Sequence, residues 1–356
     1  MAKIETVAAA DAGALAEFDA IIDARSPAEF ELDHVPGAVN LPVLSNEERA
    51  EVGTIYVQES RFKARRIGAA HVARNVARHL ETALADRPGS FRPLVYCWRG
   101  GMRSNSMATI LAEVGWRTAV LQGGYMTYRR GVTARLYESE PDFRVVLIDG
   151  QTGSGKTEVL NRLSAHGVQA IDLEGLAVHR GSLFGSIPGR PQPSQKLFES
   201  RLLQALDGLD RSRPLVLEAE SSKIGERIIP PMLWKAMVAA PRIELVAPAE
   251  ARARYLARAY RDIAEDRALL EEIFARLPTY PGRQRLEDWR VLADAGGYEE
   301  LALALMERHY DPAYLRSSRK ETRTMLAHVP MATVDETGFA AAAEEVARIL
   351  DLSAPS

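Results

Sequence analysis

Val145-Val146-Leu147-Ile148-Asp149-Gly150-Gln151-Thr152-Gly153-Ser154-Gly155-Lys156-Thr157 is the stretch on which the reading of this chain turns. Its first four residues are apolar and mostly β-branched, the composition of a strand buried on both faces. The run meets Gly150-x-x-x-x-Gly155-Lys156-Thr157, and a helix-compatible segment follows. Strand, glycine-rich turn and helix in that order make a phosphate-binding loop. Gly150, Gly153 and Gly155 let the backbone N–H groups around Ser154 turn inward, and the helix start adds partial positive charge. Lys156 supplies a mobile cation, and the Thr157 hydroxyl can ligate Mg²⁺. The motif specifies a held polyphosphate, but neither its identity nor its fate.

Downstream, Val159, Leu160 and Leu163 give the helix an apolar face, and Val168 to Leu173 reads as a second strand. This βαβ unit extends naturally into a doubly wound parallel sheet. The apolar strand Pro214 to Leu217 ends in Glu218 and Glu220, where an acid linked to Mg²⁺ is expected. Alternate strand residues face one way, so one or both can serve. His179-Arg180-Gly181-Ser182-Leu183-Phe184-Gly185 is a loop carrying a cation and a hydroxyl, and a plain proline-rich connector follows it. From Ala249 to Asp262 a helix carries four arginines. At ~100° per residue, Arg254, Arg258 and Arg261 share one face. That face suits bound phosphates or an RNA backbone, and equally a solvated surface with i,i+4 partners. Tyr310-Asp311-Pro312-Ala313-Tyr314-Leu315-Arg316, followed by Arg319, Lys320 and Arg323, mixes rings with cations. Bases stack on such rings and phosphates pair with such arginines, which makes Tyr310 and Arg316 RNA-contact candidates. Phe339 to Leu350 is an alanine-rich terminal helix without visible chemistry.

Upstream, Ile21-Ile22-Asp23 reads as a strand ending in the turn Ala24-Arg25-Ser26-Pro27. Ser45 with Glu48 is a capping-box pattern that opens a charged, mostly helical insertion. Arg61, Lys63, Arg65 and Arg66 cluster around Phe62 within it, and Arg65 and Arg66 suit a phosphate backbone as well as they suit solvent. Leu94-Val95-Tyr96 is a strand, and Cys97-Trp98-Arg99-Gly100-Gly101-Met102-Arg103-Ser104 leads from it into another helix. A cysteine so placed faces converging N–H groups, which stabilise its thiolate. Gly100 and Gly101 let the backbone curl around an anion, and Arg99 or Arg103 adds charge. Cys97-x₅-Arg103 also fits the thiolate loop of cysteine phosphatases. Tyr96 stands where those enzymes place histidine, however, and no general-acid aspartate is evident.

The chain has 356 residues, enough for two domains with separate cores. The polar, proline-bearing Glu138-Ser139-Glu140-Pro141-Asp142 divides a first domain, residues 1–138, from a second, residues 143–356. Apolar content of 46% and charged content of 26% are those of a soluble globular protein. There is no apolar run of about 18 residues and no signal-peptide core, so no membrane association is expected. Cys97 is the only cysteine, which excludes an intrachain disulfide and fits a cytoplasmic protein. A net charge of −3 argues against a globally basic nucleic-acid binder but leaves room for a local basic face.

Asp23-Ala24-Arg25-Ser26 with Glu29-Phe30, then His34-Val35-Pro36-Gly37-Ala38-Val39-Asn40-Leu41-Pro42, resembles the opening signature of rhodanese domains. Beside its Pro-Gly turn, His34 reads as scaffold. The loop from Cys97 to Arg103 spans seven residues, one more than in ordinary sulfur-transferring rhodaneses, which hints at a larger anion. A rhodanese-like domain ahead of a P-loop NTPase-like domain, both α/β, is similar to the tRNA 2-selenouridine synthases over nearly the whole chain. The likeness is carried by Glu47 to Tyr56, Tyr96 to Ser104, Gly150 to Thr157, His179 to Ser182, and Tyr310-Asp311-Pro312. It implies replacement of sulfur by selenium in wobble 2-thiouridine of tRNA, with selenophosphate as donor. It implies S-geranyl-2-thiouridine, made from geranyl diphosphate, as the intermediate. On this reading Lys156, Thr157 and the loop amides hold the diphosphate. Cys97 accepts or guides selenium, while Arg99 and Arg103 bind selenophosphate oxygens. The basic segments, Arg180 included, become tRNA or phosphate contacts, and an enzyme that makes selenophosphate becomes a partner. The alternatives are an ATP-dependent sulfurtransferase or kinase, and a non-enzymatic, nucleotide-gated chalcogen carrier.

Overall fold

The computed structural model describes residues 4–182, 185–275, 282–318 and 322–352. Leu183, Phe184, Arg319 and Lys320 of the loops singled out above lie outside the described residues. The chain forms two compact units. The first joins Met1–Ser139 with Pro193–Asp207, and the second joins Glu140–Gln192 with Gly208–Ser356. Among the described residues, no helix is long and apolar enough to cross a membrane.

The first unit is built on a five-stranded, wholly parallel sheet. Its strands are β1 (Glu5–Val7), β2 (Ala20–Asp23), β3 (Val39–Asn40), β4 (Pro93–Tyr96) and β5 (Ala119–Leu121), in the order β1-β5-β4-β2-β3. Ile22, Val95 and Val120 of the sheet meet Met107 and Leu111 of the helix Met102–Glu113 in one core. The charged insertion is a helical hairpin, Asn46–Gln58 followed by Arg61–Glu81. Ser45 and Glu48 close the expected capping box at its start. Ser26 and Glu29 form a second one at the helix Pro27–Leu32.

The helix Gln195–Asp207 is drawn from the middle of the P-loop half, yet it belongs to the first unit. Its Glu199 is buried and takes hydrogen bonds from Arg129 and from the Tyr137 hydroxyl, the latter at 2.6 Å. Ser194, at the turn before the helix, donates to the carbonyl of Leu32.

The second unit carries β6 (Val145–Gly150), β7 (Gln169–Ala170), β8 (Leu215–Glu218), the small hairpin β9 (Lys223–Ile224) and β10 (Arg227–Ile228), then β11 (Arg242–Val246) and β12 (Met325–Pro330). Five of these pair in parallel in the order β12-β11-β6-β8-β7. β6 is central and buried at every position, as its apolar run predicts. Central placement brings the loop after β6 to the carboxyl edge of the sheet, where such folds bind ligands. Helix Glu336–Leu352 packs Phe339, Ala343 and Val346 into the same core as Ile148, Val159 and Leu245. A separate helical core gathers Ile263, Leu270, Trp289 and Leu301.

Candidate functional site

The loop after β6 turns on three glycines with positive φ, at 150° for Gly150, 80° for Gly153 and 72° for Gly155. Space excludes a side chain as firmly as the backbone does. A Cβ on Gly153 would lie 2.8 Å from Leu256 Cγ, and one on Gly155 would strike the ring of Phe339. Lys156 opens the helix Lys156–Arg162 and donates to the carbonyl of Gly150 at 3.0 Å. Asp149, at the end of β6, accepts from the amide of Gly150 at 2.7 Å and from Arg242 at 2.6 Å.

The acids separate in a way that strand alternation does not predict. β8 ends at Glu218, which is fully buried and accepts from the amide of Leu173 at 3.2 Å. Burial, with Asp172 and Glu174 nearby, holds its carboxyl well above the usual range. Glu220 lies beyond the strand, in a turn closed by its own amide on the Glu218 carbonyl at 2.8 Å. The two therefore do not share one strand face. Glu220 instead meets Glu174, whose other neighbour is the Thr157 hydroxyl, donating at 3.1 Å. Burial first, and the Glu220 charge second, push the Glu174 carboxyl up to about 8. Burial also raises Glu220, against the pull of Lys156 and of the hydrogen bond from Glu174. The two carboxyls thus oppose each other's ionisation. Gly181 has no side chain because that space is taken: a Cβ there would overlap the Glu174 carboxylate and approach Glu220 Oε1 to 2.9 Å.

No group of three or more His, Cys, Asp or Glu side chains makes a ready metal site among the described residues. Thr157, Glu174 and Glu220 do offer converging hard oxygen donors. That set suits Mg²⁺ arriving with a polyphosphate and keeping most of its water.

An apolar cavity adjoins the loop. Its wall includes Thr152 and Leu256, which also packs on Gly153, together with Tyr260, Leu305, Met306 and Tyr310. Two arginine-bearing segments turn out to build this wall. The helix Ala249–Ala259 stops at Tyr260, and Arg261 opens a separate short helix, Arg261–Ala264. Arg254, Arg258 and Arg261 therefore do not form one continuous face. Arg254 and Arg258 are exposed, while Arg261 pairs with Glu265 at 2.6 Å. Arg252 is buried and bonds both oxygens of Asp311, at 2.9 and 2.7 Å, and the carbonyl of Thr152 at 3.0 Å. Tyr310 lines the cavity, Tyr314 donates to Glu244 at 2.6 Å, and Arg316 is exposed. Arg180 is engaged by Asp262 at 2.8 Å and lies over the ring of Tyr260.

The cysteine loop is a second glycine-bearing turn from strand to helix. Cys97 is buried where β4 ends, and its Sγ receives the amide of Gly101 at 3.3 Å and lies 3.2 Å from the Ser104 hydroxyl. Gly100 takes φ 63°, which brings its backbone against Gly123 and Leu121. The carbonyls of Cys97 and Trp98 accept from the amides of Tyr125 and Met126 at 2.8 and 3.1 Å. A Cβ on Gly124 would collide with the Cys97 carbonyl, so the turn after β5 braces the loop. Behind it, buried Arg25 bonds Asp23 and sits 4.1 Å over the ring of Tyr125, whose hydroxyl donates to Asp33 at 2.7 Å. Arg103 is held by Glu29 at 2.7 Å, while Arg99 is exposed. His34 stacks on Phe30, with its Nδ1 2.8 Å from the Phe30 carbonyl, a turn-organising position.

Glu174, Arg252, Asp311 and Phe339 are the site residues that sequence reasoning missed. For Glu174 the available signal was Asp172-Leu173-Glu174 directly after a predicted strand, at the sheet edge that carries the phosphate loop, and for Asp311 it was the motif Tyr310-Asp311-Pro312.

Comparison with known proteins covers both loops. Residues 143–274 match the model of the tRNA 2-selenouridine synthase AAA domain, and residues 7–130 match that of the rhodanese-like domain. The tRNA 2-selenouridine synthase of Sulfurovum sp. is 33% identical over 325 residues, covering 83% of this chain and 87% of that protein. That of Aeromonas salmonicida is 35% identical over 326 residues, covering 83% and 86%. That of Hahella chejuensis is 36% identical over 319 residues, covering 83% and 80%.

Proposed function

The chain belongs to the tRNA 2-selenouridine synthase family, and on that premise we propose that it is a tRNA-modifying enzyme that exchanges sulfur for selenium in wobble 2-thiouridine. In this reading geranyl diphosphate activates the sulfur and selenophosphate supplies the selenium. The observation that carries it is the apolar cavity beside the phosphate loop. A nucleotide offers a polar base and sugar to that wall, whereas a prenyl diphosphate offers a hydrocarbon chain next to two phosphates.

The thiouridine sulfur attacks C1 of the geranyl group as the C1–O bond breaks. The bonding pair leaves with the diphosphate, and the uridine gives up its N3 proton. The loop amides and Lys156 stabilise charge growing on the leaving group, donors preorganised for that state. Alkylation turns a poor leaving group into a thiol that can depart. Selenium then bonds to C2 as geranylthiol leaves, and water takes the phosphoryl group of selenophosphate. Arg99 and the curled amides at Gly100 and Gly101 suit the selenophosphate oxygens, with Cys97 guiding the selenium. Mg²⁺, when bound, would neutralise diphosphate charge, and Thr157, Glu174 and Glu220 are the residues that fit it. An enzyme making selenophosphate is the natural supplier.

The test is mass spectrometry of nucleosides after incubating purified protein with thiolated tRNA, geranyl diphosphate and selenophosphate. Both S-geranyl-2-thiouridine and 2-selenouridine are expected. Cys97→Ser should lose 2-selenouridine and keep the geranylated product; equal loss of both would overturn this division of labour. Lys156→Ala should suppress geranyl transfer, and an unchanged rate would move the diphosphate elsewhere. ATP consumption without a prenyl donor would favour a kinase or ATP-dependent sulfurtransferase instead.

A further inference from the structure

The helical hairpin Asn46–Gln58 and Arg61–Glu81 is built as a stiff arm whose tip has no role in the chemistry above. Its base is fixed to the cysteine loop: Glu29 takes Arg103 of that loop at 2.7 Å and Arg49 of the hairpin at 2.9 Å. Glu48 ties the two helices by accepting from Asn75 at 2.7 Å and lying 2.8 Å from His71. They pack closely at Gly68, where an added Cβ would sit 3.5 Å from a methyl of Val52. The first helix has 13 residues, so the tip stands about 20 Å along the arm from its base.

That tip is chemically unusual. Tyr56 is 45% exposed, Val57 82% and Phe62 77%, although aromatic and branched side chains are the ones folding normally hides. Cations surround them. Arg61 lies 5.5 Å over the Tyr56 ring, and Lys63 is neutralised by Glu59. Arg65 and Arg66 are exposed, and neither makes an ion pair with a described residue.

We infer that this tip is an RNA-docking surface, in which Arg65 and Arg66 take backbone phosphates and Phe62 stacks on an unpaired base. Charge complementarity selects the occupant. The tip needs a partner that is negative and also presents flat apolar faces, and a nucleic acid combines the two. An acidic protein surface would satisfy the arginines and leave the rings in water. The inference rests on the proposed tRNA substrate and deepens it. The arm would grip the RNA away from the uridine served by the Cys97 loop.

Binding of a fluorescent tRNA transcript by the full chain, measured at several salt concentrations, tests the surface. Arg65→Ala with Arg66→Ala should weaken binding roughly tenfold and lower the slope of log Kd against log salt by about 1 to 2, one step per lost phosphate contact. Phe62→Ala should weaken binding roughly tenfold with the slope unchanged, because stacking releases no counterions. All three positions are exposed, and circular dichroism is the check that each variant folds. If the parent protein binds RNA and these variants bind equally well, the docking surface is overturned while the proposed function stands. If the parent binds no tRNA and forms no selenouridine, both fall. If Phe62→Ala converts a dimer to a monomer with RNA affinity intact, the tip joins copies of this chain and the inference is overturned.

Discussion

Glu174 holds a proton at neutral pH that an exposed glutamate would have lost, because burial and the neighbouring Glu220 oppose its charge. The unfolded chain releases that proton near the ordinary carboxylate value of about 4.5, whereas the folded chain keeps it to about 8. The contribution of this group to stability is therefore full below the unfolded value. It is lost progressively as pH rises toward 8, and is constant above that. Glu174→Gln keeps the size and removes the titration. Relative to the parent, the variant should gain in thermal unfolding temperature from about pH 4.5 to about pH 8, with no further gain beyond. A difference that stays flat across that window would mean that the carboxyl is ionised in the fold. Residues of this kind mark the limit of legibility at the smallest scale. The loops that carry Lys156 and Cys97 were readable because their neighbours in sequence are also their neighbours in space. Glu174 acquires its chemistry from Thr157 and Glu220, each far along the chain, and a glutamate in a short helix carries no mark of that.

Elements show the same division. The strand Val145–Gly150 and its helix follow from apolar periodicity and turn glycines, and the structure has both. The arginine helix shows where such reasoning stops. A single amphipathic helix from Ala249 to Asp262 satisfies periodicity, yet the chain breaks at Tyr260. There the ring lines the cavity and its hydroxyl meets that of Ser182 at 3.2 Å. A tertiary requirement overrides a local one. Arg252 of that helix is likewise a clamp and no surface cation, with side-chain exposure of 3% against 17% for its partner Asp311. Asp311→Ala strands a buried guanidinium, which should cost about 3–5 kcal/mol in chemical denaturation. Arg252→Met combined with Asp311→Leu should recover most of that loss, since an apolar pair of similar volume has no desolvation penalty to offset. If the proposed function holds, the double variant should still raise the KM for geranyl diphosphate, because the Thr152 carbonyl loses its tether. A cost below about 1 kcal/mol for Asp311→Ala would show that the clamp is not needed.

At the scale of the whole molecule, the two α/β halves and their order were legible, since each carries its own strand–loop–helix motif. The exchange of Pro193–Asp207 was not, because an amphipathic helix does not say which unit will cover its apolar face. In the structure this helix packs on Tyr125–Thr133 and Ala134–Glu138 of the first unit. Phe198, Leu202 and Leu206 are buried, and Glu199 binds Arg129 and Tyr137. Each large apolar side chain contributes up to about 1.5–3 kcal/mol on burial. A domain is stable by only about 5–15 kcal/mol in all, so the first unit without this helix should be close to unfolding. Residues 1–139 alone should therefore unfold at much lower denaturant than the same residues joined through a flexible linker to residues 193–207, followed by circular dichroism. In the joined protein, Glu199→Ala should return much of the loss, because it leaves Arg129 and the Tyr137 hydroxyl without their shared acceptor. Equal midpoints for the two proteins would mean that the first unit is complete without the exchanged helix. The chain would then have two independent domains, divided where its polar linker suggests.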